Sequence, residues 1–292
     1  MKIRDEFLLL ADSASRQIME KTVLSSPEIT KTVIGKSILA GEIPAYHIGH
    51  GRRIILCVGT HHALESITAN FLYYMVFLLG DRELFRSVCR GIDRGALLSS
   101  FHFLFIPCLN PDGVEMRLHG APPSPLRERQ IKMSGGDFTH WQANSRGVDL
   151  NHNYNAGFFE YKKLEREKGI SPGATLYSGE HPESEPETRA LAGVVRALRP
   201  SLTLSLHTQG EEIYHSAKAA HVAARLSREC GYRIMKAEGT SAYGGLTDYL
   251  DTLGLSALTL ELGKGANPLP ETDLFSISER LISPLLCLPT KI

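Results

Sequence analysis

A single tryptophan in 292 residues, no cysteines at Cys-x-x-Cys spacing, no net charge and no long apolar run set the first limits on this chain. Each absence removes a class of function. The five cysteines, Cys57, Cys89, Cys108, Cys230 and Cys287, are odd in number, scattered and mostly set in apolar surroundings. That excludes a thiolate zinc cluster and predicts buried thiols in a reducing compartment. Lysine plus arginine equals aspartate plus glutamate at 32 each, so no overall field steers the molecule to nucleic acid or an anionic membrane. The most apolar stretch, Ile67 to Leu79, is too short to span a bilayer and carries Thr68 and Asn70, which makes it a core helix. Near the N-terminus the apolar run is only five residues long and is bounded by acids, so no secretory signal is legible and a cytoplasmic location is expected.

What the chain does contain is the pattern of an α/β protein. With 42% apolar and 22% charged residues it has a globular composition, and no internal repeat or boundary divides it. Residues 5–24 read as an amphipathic helix with Leu8, Ala11, Ile18 and Met19 on one side. Residues 31–58 hold several β-rich pieces ending in a buried strand, Arg53 to Val58, and a helix follows to about Leu79. A second buried run, Phe101 to Ile106, leads into Asn110-Pro111-Asp112-Gly113, which has the proline and glycine of a turn. Residues 120–136 predict an exposed loop of the kind that joins an active site. Residues 159–185 are charged and turn-rich, and a helix runs from Pro186 to Arg199. Leu202 to Leu206 is then a strand, followed by a helix from about Ala219 to Cys230 and a short strand near Tyr232 to Met235. Ala257 to Leu262 is a further strand, and residues 272–290 form a helical region broken by Pro284.

Three of these strands end on residues that bind metals. Gly59-Thr60-His61-His62-Ala63-Leu64-Glu65 follows the first, and an imidazole and a carboxylate three residues apart share one face of a helical turn. His207 follows the second at once, and Glu261 interrupts the third, where an unpaired charge is costly unless it faces a metal or a polar cleft. Open α/β sheets place ligands at such carboxyl ends. Two imidazoles and a carboxylate form a three-ligand zinc set with one position left for water.

In this order, His-x-x-Glu, Asn-Pro-Asp-Gly, Gly147-Val148-Asp149-Leu150-Asn151, a late histidine and a final glutamate, the chain resembles the metallocarboxypeptidases related to pancreatic carboxypeptidase A. The likeness covers roughly residues 30–265. Within that family the segments Trp141 to Asn151, Leu206 to Tyr214 and Glu261 to Pro270 are most similar to bacterial γ-D-glutamyl-L-diamino acid endopeptidases. The resemblance implies a single α/β domain, a mixed central β-sheet flanked by helices on both faces, with residues 1–30 a helical extension and 30–290 the catalytic core. It implies one zinc ion per chain on His62, Glu65 and His207, with Glu261 as general base and His61 displaced as a ligand by His62. It further implies hydrolysis of small peptides, most of all γ-D-glutamyl-diaminopimelate bonds of cell-wall origin. The alternatives are an ordinary carboxypeptidase, an N-acyl amino acid amidohydrolase and a non-catalytic zinc-containing peptide-binding module. No nucleic-acid or membrane partner is implied, and no oligomeric state.

Departures from the family pattern shape the remaining expectations. Gln142 stands where an oxyanion arginine is usual, giving a donor without charge. Asn151-His152 replaces the Asn-Arg that grips a terminal carboxylate, and the substrate-capping tyrosine falls at Thr240, with Tyr243 the nearest candidate. Thr247 lies near the expected base of the specificity pocket and sets no charge preference. Arg146 is the candidate for a substrate carboxylate, and with Glu211 and Glu212 it would suit a zwitterionic side chain.

Overall fold

Buried strands that alternate leucine with small polar residues, such as Leu202-Thr203-Leu204-Ser205-Leu206, call for an apolar layer on one sheet face and a mixed one on the other. The computed structural model, which describes residues 3–288, has that arrangement. Strands β1 (Thr30–Lys36), β2 (Glu42–Ile48), β3 (Arg53–Val58), β4 (Phe101–Ile106), β5 (Leu202–Thr208), β6 (Glu212–His215), β7 (Arg233–Ile234) and β8 (Ala257–Leu262) form one sheet in the order β1-β2-β4-β3-β5-β8-β6-β7. The centre, β4-β3-β5-β8, is parallel, while β1, β2 and β6 add antiparallel pairings, so the sheet is mixed and the domain is single.

Leu202, Leu204, Leu206, Leu258, Leu260 and Leu262 share a core with the buried helix Ile67–Gly80 and the C-terminal helix Leu274–Cys287. The other face packs Leu56, Val58, Leu104 and Ile106 against the helices Pro186–Leu198 and Leu246–Thr252. By alternation, Thr203, Ser205 and His207 look toward this second side, as do Ala257, Thr259 and Glu261. The chain leaves β3 for β4 on one side, and β5 lies on the other, so the strand order reverses at β3. A crevice opens at the carboxyl ends of strands at such a reversal.

Several local expectations change. Residues 5–24 are not one helix: a short 3-10 turn, Asp5–Leu8, precedes the helix Ser13–Val23, whose first turn is capped by Asp12 accepting from Ser15 N. Ala11, at φ 58, breaks the path between them, and Ile18 is exposed while Met19 is buried. Asn110-Pro111-Asp112-Gly113 opens the helix Pro111–His119, with Asn110 as its cap and Pro111 in the first turn, a role proline fills as readily as it fills a turn. The stretch 120–136 contains the helix Arg127–Ser134, and the stretch 159–185 the helix Phe158–Lys168. Pro284 does not break its helix. Losing a hydrogen bond there costs about 3 kcal/mol, whereas each of the buried Leu281, Ile282, Leu285 and Leu286 gains about 1.5–3 kcal/mol by staying in the core. Residues 289 and 290 of the expected helical region lie outside the described residues.

Candidate active site

The end of β3 is turned sharply to deliver His62. Thr60 adopts φ 54, a left-handed conformation that costs a β-branched residue energy, and its N–H is held by Thr68 Oγ1 at 2.8 Å. Thr68 Oγ1 donates in turn to the Glu65 carbonyl at 2.7 Å. The segment His62–Glu65 is a hydrogen-bonded turn, Glu65 N to His62 O at 3.1 Å, immediately before the helix Ile67–Gly80. Asn110 braces it from the side, its amide lying 3.1 Å from the carbonyl oxygen of His61 and 3.2 Å from that of Gln142.

This bracing brings His62, Glu65 and His207 together, with one ligand atom of each within 4.8 Å of the others. The two imidazole Nδ1 atoms stand 3.3 Å apart, and Glu65 lies 3.0 Å from each through its two oxygens. Ligands at zinc's bond length of about 2.0–2.1 Å in tetrahedral geometry stand roughly 3.3 Å apart, so the separations suit a common cation. Glu65 Oε2 is buried without a hydrogen bond, although His207 Nδ1 is near it. The charges agree with the distances. Burial disfavours a cationic His62, but Glu65 and Asp149 outweigh it and push its proton affinity well above that of ordinary histidine. Burial likewise opposes a charged Glu65, and His62 and His207 nonetheless hold its carboxyl below the usual range. Positive charge is favoured at the centre of this group.

Asp149, given no role in the sequence reading, completes the arrangement. Its Oδ1 lies 3.0 Å from His62 Nε2, and its Oδ2 accepts the Leu176 N–H at 3.1 Å. A carboxylate behind a ligand histidine fixes the ring and its tautomer. The signal available was an aspartate within a run too polar for core. His61 is buried behind the site, its ring stacked on His207 at 5.3 Å and 26° and its Nε2 engaged 2.9 Å from the Tyr154 hydroxyl.

Glu261 pairs in register with His207 across β5 and β8, which sets both side chains at one level on the same face. Burial raises its carboxyl to about 7, with the imidazoles of His207 and His62 opposing and Glu65 adding to the rise. A base near neutrality is suited to proton transfer. Glu261 lines a cleft of about 760 Å³ together with His62, His207, Gln142, Asn151, His152 and Thr247. Gln142 Oε1 lies 2.9 Å from the Thr175 hydroxyl, and the Thr247 and Thr259 hydroxyls meet at 2.7 Å.

Other candidates fall away from the cleft. Arg146 lies in a separate groove with Arg129, Tyr177 and His181, 3.8 Å from Glu185, and is not among the cleft-lining residues. The Tyr243 ring packs over Gly157 and is not among the cleft-lining groups; what it offers is its carbonyl, which accepts from His152 Nδ1 at 2.8 Å. Glu211 is taken up by Lys264 and Arg280, and Glu212 by Arg233 and Tyr214. Residues 120–136 line another groove with Asp112 and His119 and contribute nothing to the cleft lining. Lys236 and Asp248, which the sequence reading did not select, do line it.

The zinc carboxypeptidase family model matches residues 15–225. The γ-D-glutamyl-L-diamino acid endopeptidase 1 of Lysinibacillus sphaericus is 30% identical over 277 residues, covering 90% of this chain and 68% of that protein. Among solved structures, thrombin-activatable fibrinolysis inhibitor superposes with a TM-score of 0.73 at 20% identity, over 97% of this chain and 75% of its own. The murein-tripeptide amidase of Escherichia coli O157 does so with a TM-score of 0.56 at 18% identity, over 88% and 91%. A match of that extent, on the fold that these structures share, makes this chain a metallopeptidase of the zinc carboxypeptidase family.

Proposed function

We propose that the protein is a zinc-dependent peptidase that cleaves γ-D-glutamyl-diaminopimelate bonds in murein peptides, with one zinc ion on His62, Glu65 and His207. The observation that carries this reading is the convergence of those three ligand atoms beside Glu261, a half-buried carboxyl raised to about 7. The substrate class follows from the relative that is a diamino acid endopeptidase and from a murein peptide amidase of Escherichia coli that is 27% identical over 107 residues. Against an ordinary carboxypeptidase stands the cleft lining, in which no arginine is present among the described residues.

Bound zinc supplies Lewis acidity to water and to the scissile carbonyl. Glu261 takes the proton of the attacking water and returns it to the departing amine, which its raised carboxyl allows near pH 7. Asp149 keeps His62 Nε2 protonated, leaving Nδ1 as the ligand atom. Gln142 brings a neutral amide donor to the carbonyl oxygen. The buried thiols Cys57, Cys89, Cys108 and Cys230 favour a reducing compartment, and we place the enzyme in the cytoplasm, acting on recycled wall peptides.

The test is hydrolysis of Ala-γ-D-Glu-diaminopimelate by zinc-loaded protein beside Glu261→Gln. Release of diaminopimelate, falling by about 10²–10⁴-fold in the variant while zinc stoichiometry holds, supports the reading. Cleavage of ordinary C-terminal residues with that peptide left intact would overturn it.

A further inference from the structure

Resting on the peptidase reading, the cleft wall formed by residues 151–152 and 244–248 identifies the end of the substrate. His152 Nδ1 lies 2.8 Å from the Tyr243 carbonyl oxygen, which can only accept, so Nδ1 carries the proton. The ring is neutral, because burial lowers its proton affinity against the opposing pull of Asp149. Nε2 therefore presents a lone pair and has no hydrogen-bond partner among the described residues, although it is not sealed from solvent. Tyr161 stacks on the imidazole at 4.1 Å and 11°. Gly244, at φ 80, lies so close that a Cβ there would stand 2.6 Å from the His152 carbonyl oxygen, which fixes the backbone under the ring that Tyr161 covers. An unprotonated acceptor repels a carboxylate and welcomes a donor.

The neighbouring groups divide the same way. Asn151 Oδ1 accepts the Leu246 N–H at 3.1 Å, which turns its NH2 outward as a donor. Asp248 Oδ2 accepts the Gly245 N–H at 3.2 Å and has no ion-pair partner among the described residues, yet it lines the cleft. Burial raises this carboxyl to about 6, with Asp251 adding, a cost that a bound cation would relieve. Lys236 is the only lysine or arginine among the described residues of the lining. Acceptor and anion thus line the same cleft as donor and cation.

We propose that this cleft selects substrates whose departing residue ends in an intact amino-acid head: the ammonium on His152 Nε2 and Asp248, the adjoining carboxylate on Asn151 Nδ2 and on Lys236 of the same lining. His152 is then a specificity-determining residue, and the free end of diaminopimelate has both required groups on one carbon. A peptide ending in a carboxylate alone meets the lone pair of His152 and is refused.

Calorimetry on zinc-loaded Glu261→Gln protein tests this without turnover. The ligands are Ala-γ-D-Glu-diaminopimelate, the same peptide with 2-aminopimelate, which lacks the distal ammonium, and the same peptide with lysine, which lacks the distal carboxylate. The expected result is a loss of about tenfold or more for each deletion, and a reversal toward the 2-aminopimelate peptide when His152→Arg is added. Equal binding of all three, or an order unaltered by His152→Arg, would overturn the proposal. Nitrogen-15 NMR of the Glu261→Gln protein with His152 intact gives an answer independent of the His152→Arg variant's folding: the lone-pair resonance of His152 Nε2 should shift on adding the diaminopimelate peptide and stay in place with the 2-aminopimelate one, and the converse would count against it. Discrimination among the ligands without hydrolysis by the parent enzyme would leave the wall's assignment standing and remove the peptidase reading.

Discussion

Asp149 holds His62 from behind, with one oxygen on the ring and the other on the Leu176 N–H, and it is buried with almost no access to water. Burial works against its charge, but the His62 imidazole, His152 and these hydrogen bonds keep its carboxyl far below the ordinary range. Replacing it by asparagine preserves the volume and removes the charge that orients the ligand ring. Asp149→Asn should weaken zinc binding by about 10–100-fold in a competitive chelator titration, with melting of the metal-free protein little changed. Unaltered affinity would mean that His62 does not depend on this carboxylate. At this scale legibility was uneven. His62, Glu65, His207 and Glu261 could be read because each closes or interrupts an apolar strand, where an ionisable group needs a reason. Arg146 misled because it lies two residues from Asn144 and five from Asn151, and nearness in sequence does not say which wall of a loop a side chain joins; here it turned toward Glu185. Lys236 and Asp248 gave no signal, being ordinary residues of a charged segment and of a short helix.

The element that matters most is the helix Ile67–Gly80 and the turn that feeds it. Thr68, fully buried, uses one hydroxyl to hold both Thr60 N and the Glu65 carbonyl, tying the strained end of β3 to the turn carrying two ligands. Valine has the same shape without the oxygen. Thr68→Val should cost about 1–3 kcal/mol in urea unfolding, since it strands a buried N–H, and should also lower zinc affinity by loosening Thr60 through Glu65. A stability loss with zinc affinity intact would assign Thr68 to folding alone. The strands of the parallel centre and the long apolar helix were evident from their runs of Ile, Leu, Val and Phe. The helix Arg127–Ser134 was not, because its apolar positions are few and it buries only Gln130. The strand Glu212–His215 was hidden for a different reason: its pairing with β8 is long-range, and nothing local in four mixed residues declares it.

Across the whole molecule, the side of the sheet opposite the long apolar helix carries a second group of buried acids away from the cleft. Glu187 is fully buried near Glu185 and Asp112, accepting from Asn144 Nδ2 at 3.4 Å and from Ile38 N at 3.3 Å. Burial, with Glu185 and Asp112 adding and backbone hydrogen bonds opposing, raises its carboxyl to about 8 from an ordinary 4.5. A carboxyl raised in the folded state binds its proton more tightly there than in the unfolded chain. Its stabilising contribution is therefore complete below about pH 4.5 and is lost as pH rises through about 8, with a slope of at most about 1.4 kcal/mol per unit. Glu187→Gln keeps the neutral shape at every pH. Melting curves from pH 5 to 9 should show the parent losing stability relative to this variant across that window, and parallel curves would refute the assignment. That group was out of reach of the sequence, since Glu185, Glu187 and Asp112 are brought together only by folding.

The zinc centre itself is best examined by X-ray absorption at the zinc edge on protein loaded with one equivalent of metal. Two imidazole nitrogens at about 2.0–2.1 Å with a carboxylate oxygen beside them, and one imidazole lost in His207→Ala, are what this arrangement predicts. Sulfur ligation, or a spectrum that His207→Ala leaves unaltered, would contradict it.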